Sequence, residues 1–384
     1  MMLALNKSQK QIQKAVRDFS KGEFDKEHII EIDKSREYPK DIWEKAAELG
    51  FIGIHFPEAL SGSGMGVFDN VIVAEELCRK DSSIGITLST AGYASECLLR
   101  FGSDDLKQKF LPKVAEGKIL SGGAFTEPDQ GTDITRIKTT ARKEGGHFII
   151  NGDKSFVVNG GLAGFYVVLC KTDSACEPET GGMSLILVEA DRDGLTAEDV
   201  GRKLGVNQMA TTGLLLRNVT VPISNLIGEE GKGYANLQKF FVESRILVAA
   251  QALGTAEGAL DRALVYVKGR EQFNRPIVKF QVTQHKIADM ATRIELARLI
   301  TYEAASQFDQ GNIDPKMASM AKLTATKVAM EVTDEALQLH GGYGYMTEYE
   351  VEHFYRDAKV CQIREGNNRV QKDIIAEAVI GRIK

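Results

Sequence analysis

The residues best placed to do chemistry lie near the C-terminal end, where Arg364-Glu365-Gly366-Asn367-Asn368 follows Gly341-Gly342-Tyr343-Gly344-Tyr345 and Tyr355-Arg356-Asp357-Ala358-Lys359. Glu365 comes after a short apolar run and before a glycine. Its carboxylate can therefore stand free at the end of an element while neighbouring backbone amides approach a ligand. That arrangement suits a general base. A glutamate before a glycine is also ordinary solvated loop. What raises this one above that reading is a second stretch far upstream, Phe125-Thr126-Glu127-Pro128-Asp129-Gln130-Gly131-Thr132-Asp133.

The elements that must position these two stretches fall into three regimes. Residues 1–120 carry helical patterning with polar breaks, as in Ile42, Ala46 and Leu49 after Pro39, then Val71, Ala74 and Leu77. Ser61-Gly62-Ser63-Gly64-Met65-Gly66 alternates glycines but lacks the strand–turn–helix context of a dinucleotide cradle, and reads as a plain flexible loop. Over 121–232 the character changes to short β-rich runs: Phe148-Ile149-Ile150, Phe156-Val157-Val158, Phe165 to Leu169, Ser184 to Val188 and Leu214-Leu215-Leu216. Asn151-Gly152 between the first two predicts a tight hairpin. From 233 to 384 the helical period returns: a long segment from Tyr234 to Phe273, a stripe from Ile287 to Phe308, then a helix that Asp314-Pro315 opens and Gly341 closes. With a last helix after Gly366 these predict a four-helix bundle. The expected fold is thus α+β and multidomain, with a helical N-terminal domain, an antiparallel β middle domain and a C-terminal four-helix bundle.

Composition narrows the function. At 384 residues, 43% apolar and 26% charged, the chain is of average soluble make-up, and no apolar run reaches the roughly 20 residues needed to cross a bilayer. A net charge of −5 with scattered basic residues argues against nucleic-acid binding. Five cysteines, an odd number without a Cys-x-x-Cys pair, argue against a disulfide framework and a zinc site, and six histidines lack ligand spacing. No metal is expected. The opening residues, Leu5-Asn6-Lys7-Ser8-Gln9-Lys10, have neither the apolar core of a signal peptide nor the character of a transit peptide, so a cytoplasmic location is expected.

The order helical, β, helical, with Phe125-Thr126-Glu127-Pro128 and Gly131-Thr132-Asp133 opening the β region and Glu365-Gly366 near the end, resembles the acyl-CoA dehydrogenase family over the whole chain. Supporting stretches are Lys154-Ser155-Phe156-Val157-Val158-Asn159-Gly160, Arg245 with Ala249-Ala250-Gln251-Ala252-Leu253-Gly254, Arg270-Glu271-Gln272-Phe273-Asn274-Arg275-Pro276-Ile277 with Phe280-Gln281, and Gly341-Gly342-Tyr343-Gly344. The resemblance implies FAD bound between the β domain and the bundle. Phe125, Thr126, Gly131 and Thr132 would line the flavin, joined by Phe156, Val157, Val158 and Asn367. Arg270, Phe273, Gln281, Gln338, Gly341 and Gly342 would hold the pyrophosphate and adenine of a neighbouring subunit's FAD. A homo-oligomer, by family habit a tetramer, follows. Thr132, Ser244, Arg245 and Gly366 would meet the acyl-CoA substrate. Glu365 would take the α-proton while the β-hydrogen leaves as hydride to flavin N5. Electrons would pass to electron-transferring flavoprotein. Some relatives carry the base just before the arginine, but here Ser244 stands there, and Glu243 is expected to face about 100° away around the helix.

The chain also departs from the family pattern. Phe156 replaces a common tryptophan, Val158 a threonine whose hydroxyl usually reaches the flavin, Asn367 a threonine, Glu377 an arginine and Arg364 a frequent tyrosine. Losing the hydroxyl removes a hydrogen bond worth roughly 0.5–1.5 kcal/mol net, which leaves the direction of reaction open. Arg364 either approaches Glu365 or points into solvent. The alternatives are an enoyl-CoA reductase or another flavin-dependent acyl-CoA conversion on the same fold, and more remotely a non-catalytic assembly or binding protein. The acyl pocket is expected around Leu88 to Leu99, which contains Tyr93 and Glu96, and the stretch Asp81 to Ala91 offers no arginine to pair a distal carboxylate, against a glutaryl-like substrate.

Overall fold

The computed structural model describes residues 5–176 and 179–381. Seven helices come first: α1 (Lys7–Glu23), α2 (Lys26–Ser35), α3 (Lys40–Glu48), α4 (Val67–Lys80), α5 (Ser82–Ser89), α6 (Ser95–Phe101) and α7 (Asp104–Ala115). Side-chain caps start several of them. Asn6 and Gln9 form a reciprocal capping box on α1, and Asp25, Asp81 and Ser103 accept backbone N–H groups at α2, α5 and α7. Leu49, assigned by its spacing to the buried stripe of α3, instead caps the helix and is 58% exposed. The glycines before α4 form a tightly hydrogen-bonded loop, Gly64 N–H donating to Phe56 and Met65 N–H to Ile54, and a Cβ on Gly62 would meet the Phe56 carbonyl at 2.1 Å. That segment is a close-packed turn rather than a plain spacer.

The β region holds β1 (Leu120–Ala124), β2 (Thr140–Glu144), β3 (His147–Val158), β4 (Ala163–Lys171), β5 (Met183–Glu189), β6 (Leu195–Asp199), β7 (Thr211–Pro222) and β8 (Leu226–Ile227). They form one sheet in the order β6-β7-β3-β2-β4-β5-β8, with β1 alongside β4. Pairing is antiparallel apart from β1 with β4 and a single bridge between β2 and β4. The hairpin expected at Asn151-Gly152 is not there. Those two residues lie inside β3, at an irregularity against β7, and the turn between β2 and β3 is Gly145-Gly146, both in the left-handed region. Asn151 instead cross-links β3 to β7 by accepting from the Asn218 N–H at 2.9 Å.

The C-terminal region contains α8 (Gly233–Gly269), α9 (Gln281–Asp309), α10 (Pro315–His340), α11 (Val351–Ile363) and α12 (Asn368–Ile380). Asp314 caps α10 with Pro315 in its first turn, and Gly341 at φ +60 ends it, as the spacing predicts. The four-helix bundle is present, and one of its members is α11, whose Val351, Phe354, Ala358 and Cys361 are buried every three or four residues; α12 adds a fifth helix against α10. α4 joins the two halves of the molecule. Val73 and Leu77 enter the core shared with the sheet, while Val67, Val71, Ile72 and Ala74 enter the core of the bundle. α8 is apolar nearly all round because it is buried on several sides, against α4, α9, α10 and α11.

One buried ion pair ties the 125–139 segment to the sheet. Lys154 on β3 is fully buried, and its Nζ lies 3.0 Å from Glu127 Oε1. Glu127 also accepts from the Lys138 N–H at 2.6 Å, the Thr139 N–H at 2.9 Å and the Thr139 hydroxyl at 2.6 Å. Burial would raise the Glu127 carboxyl, but Lys154 and these donors together hold it below its ordinary value. Lys154→Ala, which strands that carboxylate, is expected to cost about 3–5 kcal/mol of unfolding free energy by urea denaturation, and a loss under about 1 kcal/mol would show that the pair does not anchor the segment.

Candidate active site

Glu365 sits where α11 meets α12. The chain leaves α11 at Arg364, takes two consecutive left-handed residues, Glu365 at φ +59 and Gly366 at φ +82, and re-enters helix at Asn367. The Asn367 carboxamide oxygen accepts from the N–H groups of Arg369 at 2.9 Å and Val370 at 3.3 Å and so starts α12. Glycine is required at 366 on two counts, since a Cβ there would also lie 3.0 Å from Gln371 Nε2. A left-handed non-glycine residue persists only where its surroundings fix it. Here side chains from three helices grip the carbonyls. Arg245 Nε on α8 donates to the Glu365 carbonyl at 3.1 Å, and Gln371 Nε2 on α12 donates to the same oxygen at 3.1 Å and to the Gly366 carbonyl at 2.6 Å. Lys322 Nζ on α10 donates to the Gly366 carbonyl at 2.9 Å.

The carboxylate itself is not the exposed group expected of a loop. Glu365 is 8% exposed, and its Oε1 accepts from the Tyr93 hydroxyl at 2.6 Å. Its Oε2 is buried without a hydrogen-bond partner. Tyr93 belongs to the N-terminal helical region, and its ring packs edge-on to Phe240 at 5.8 Å and tilted to Phe125 at 6.4 Å. Burial, and then the Glu365 charge, push the Tyr93 hydroxyl well above its ordinary pKa, so it stays a donor at physiological pH. The result is a carboxylate with one oxygen steadied and the other open inside an aromatic wall. Such a group can take or give a proton at a carbon placed against it.

Several residues singled out in the sequence gather here. The Thr126 carbonyl accepts from the Ser155 N–H at 2.9 Å, which brings the 125–132 segment beside the end of β3. Asn367 Nδ2 donates to the Thr132 hydroxyl at 3.3 Å, joining that segment to the Glu365 turn. Val157 is buried in β3 and Val158 packs against the bundle core. Phe156, at φ +56, is 65% exposed. An uncovered aromatic ring at a strand end between domains is what a flat heteroaromatic ligand would cover. A Cβ on Gly131 would meet nothing, so backbone approach is open there too.

A second group lies apart, facing outward from the bundle. Arg270, Phe273, Gln281, Gln338, Gly341 and Gly342 are all exposed. Phe273 is 87% exposed, the Arg270 guanidinium lies 5.5 Å from the Tyr343 ring, and added Cβ atoms at Gly341 and Gly342 would touch nothing. The Arg270 guanidinium pairs with no carboxylate among the described residues, which leaves its fork open to an anion. No cluster of three or more His, Cys, Asp or Glu among the described residues could hold a metal ion.

Two expectations change with the structure. Glu243 does not face away: it lines the same cavity as Ser244 and Tyr93, and Arg100 grips it with two hydrogen bonds of 3.1 Å. A cavity between helices reaches residues on either flank of the facing stripe, so a rotation of 100° does not remove Glu243 from it. Arg364 does not enter solvent and forms no ion pair with Glu365 among the described residues; its guanidinium donates to the Gln251 side-chain oxygen on α8. Arg245, expected at the substrate, is buried with its guanidinium 5.5 Å from the Phe241 ring and its Nε donating to the Glu365 carbonyl. Tyr93, Lys322 and Gln371 have no role legible in the sequence, because they reach the turn from the α5–α6 connection, α10 and α12, all remote along the chain or on another element.

Three family models match, described as the acyl-CoA dehydrogenase N-terminal domain over residues 6–118, its middle domain over 122–219 and its C-terminal domain over 231–380. The chain is 39% identical to a 3-(aryl)acrylate reductase of Clostridium sporogenes, covering 96% of this chain and 97% of that one. It is 38% identical to the caffeyl-CoA reductase-Etf complex subunit CarC of Acetobacterium woodii, with 96% and 97% covered. The solved structure of butyryl-CoA dehydrogenase from Megasphaera elsdenii superposes with a TM-score of 0.95 at 37% identity, covering 99% of this chain and 100% of that one.

Lys322 gives the turn a pH signature. Burial pulls its pKa down to about 8. Between about pH 8 and 10.5 the unfolded chain therefore holds a proton on this lysine that the folded chain has released, so stability contributed through it rises with pH. Urea midpoints of the wild type relative to Lys322→Met are expected to climb from pH 8 to 10. A flat or falling difference would contradict the buried placement of this ammonium.

Proposed function

We propose that this chain, which belongs to the acyl-CoA dehydrogenase family, is an FAD enzyme that interconverts an acyl-CoA thioester and its 2-enoyl-CoA, with Glu365 moving the α-proton. The observation that carries the reading is the Glu365 carboxylate, whose Oε1 is held by Tyr93 while buried Oε2 has no partner. Oε2 is the atom to which the proton goes. Arg245, Gln371 and Lys322 fix the backbone from which it projects, so no reorganisation is needed when the substrate arrives. The Glu365 N–H lies at the same turn and would meet the thioester oxygen, where negative charge develops as the α-proton leaves. FAD, when bound, supplies the acceptor for the β-hydride. Segment 125–132, residues 156–158 and Asn367 would hold its flavin end. The outward group of Arg270, Phe273, Gln281, Gln338, Gly341 and Gly342 would hold the diphosphate end of a neighbouring copy's FAD, which makes the enzyme a homo-oligomer, a tetramer in our reading. Ser244, Arg245 and Gly366 would border the acyl-CoA.

One observation favours the reverse direction as a second reading. The relatives described above include a 3-(aryl)acrylate reductase and a caffeyl-CoA reductase subunit. As a reductase, protonated Glu365 would deliver its proton to the α-carbon. Electron-transferring flavoprotein is the proposed redox partner in both directions, in keeping with the name of the Etf-complex relative.

Purified protein is expected to be yellow, or to become so on adding FAD, and to lose that absorption on anaerobic addition of an accepted acyl-CoA. Glu365→Gln is expected to retain flavin and fold but to slow this bleaching by roughly 10²–10⁴-fold. Bleaching at the wild-type rate in that variant would remove Glu365 from the role, and a protein with no flavin bands under either condition would refute the assignment of FAD.

A further inference from the structure

The cavity that meets the proposed base through Tyr93 is lined by Phe240, Ser244 and Leu247 and also by the polar Asn70, Ser89, Glu96 and Glu243. A second cavity shares Asn70, Ser89 and Glu96 with it and adds His55. Each has an open volume of about 20 Å³, room for one water. An acyl chain has to part these walls to enter.

The polar end is incompletely satisfied. His55 is buried and neither ring nitrogen has a hydrogen-bond partner. Its Nε2 lies 3.5 Å from Glu96 Oε1 and 3.8 Å from Glu243 Oε1, beyond a hydrogen bond to either. Glu243 is already taken by Arg100, whereas the Glu96 side chain, 13% exposed, has only the His55 contact to balance it. The buried His55 nitrogens cost free energy unless something bonds to them. A hydroxyl serves both, donating to the Glu96 carboxylate and accepting from or donating to His55, in a space already the size of a water molecule. A methyl or phenyl terminus would desolvate Glu96 and His55 and return nothing. A carboxylate terminus would face two glutamates.

We infer that the acyl group of the physiological substrate carries a hydroxyl, aliphatic or phenolic, at its far end, and that Glu96 with His55 is the site that selects it. This rests on the reading of Glu365 as the base of an acyl-CoA oxidoreductase. Sites built to hydrogen-bond a substrate hydroxyl discriminate strongly against analogues that lack it.

The test uses the FAD-loaded enzyme and matched pairs of acyl-CoAs: ω-hydroxyacyl chains of four to eight carbons against the same chains ending in methyl, and 3-(4-hydroxyphenyl)propanoyl-CoA against 3-phenylpropanoyl-CoA. ω-Amino and ω-carboxy chains complete the panel. Stopped-flow flavin bleaching gives kcat/KM for each. In the best-accommodated pair the hydroxylated member is expected to win by about tenfold or more. Glu96→Leu is expected to reverse that preference, and Glu96→Gln, which keeps shape and one acceptor, to retain part of it. Flavin content and thermal midpoint check folding of both variants. Methyl- or phenyl-terminated chains equal to or better than their hydroxylated partners in the wild type would overturn the inference, as would a preference for the amine or a hydroxyl preference that survives Glu96→Leu. If no acyl-CoA bleaches the flavin, the underlying reading of the reaction fails, an outcome distinct from bleaching without discrimination.

Discussion

The arrangement around the Glu365 carboxylate depends on the hydrogen bonds that Arg245, Gln371 and Lys322 make to the carbonyls of Glu365 and Gly366. A non-glycine residue held in the left-handed region costs on the order of 1–3 kcal/mol, and an unconstrained helix–helix junction would relax it. Three donors from α8, α10 and α12 make relaxation more costly than strain. Arg245 and Lys322 are also buried cations, pulled down in pKa by the same burial that makes their bonds strong. The geometry of the proposed base is therefore a property of the bundle core rather than of a loop.

The other parts of the site come from the other two regions. The N-terminal helices supply Tyr93, which takes one carboxylate oxygen and leaves the second open. The β region supplies the 125–132 segment, anchored by Glu127 on Lys154 and touching the turn through Thr132 and Asn367. α4 belongs to the cores of both halves, so it fixes the walls of the cavity that runs from Tyr93 to Glu96. A site at the junction of several packed regions can exclude water while each region contributes one function.

Much of this was legible in the residues. The alternation of helical and β regimes and the Asp314-Pro315 start and Gly341 stop of α10 follow from spacing and residue type, whereas Glu365 stands out only with the family resemblance beside them. Other features were not. Asn151-Gly152 carries the signature of a hairpin turn, but the β3–β7 pairing uses that residue type within a strand and places the turn at Gly145-Gly146. The period of Val351, Phe354, Ala358 and Cys361 is masked by the polar Tyr355-Arg356-Asp357 between them, of which Asp357 is itself buried and accepts from Ser82 and the Val206 N–H. The contact of Tyr93 with Glu365 spans 272 residues, and that of Arg364 with Gln251 spans 113, so no local pattern could announce either. Helical rotation alone misplaced Glu243, since it ignores where the neighbouring helices leave space.

The most direct test of Glu365 as the proton-moving group separates proton transfer from hydride transfer. An acyl-CoA with hydrogens on the α-carbon and none on the β-carbon, such as 3,3-dimethylbutanoyl-CoA, can lose its α-proton but cannot be oxidised. Incubated with the FAD-loaded enzyme in D2O and followed by proton NMR, it should exchange one α-hydrogen far faster than without enzyme, without flavin bleaching, and the exchange should vanish in Glu365→Gln. Exchange that persists undiminished in that variant, or exchange of both α-hydrogens at equal rates, would contradict a single base fixed by the turn.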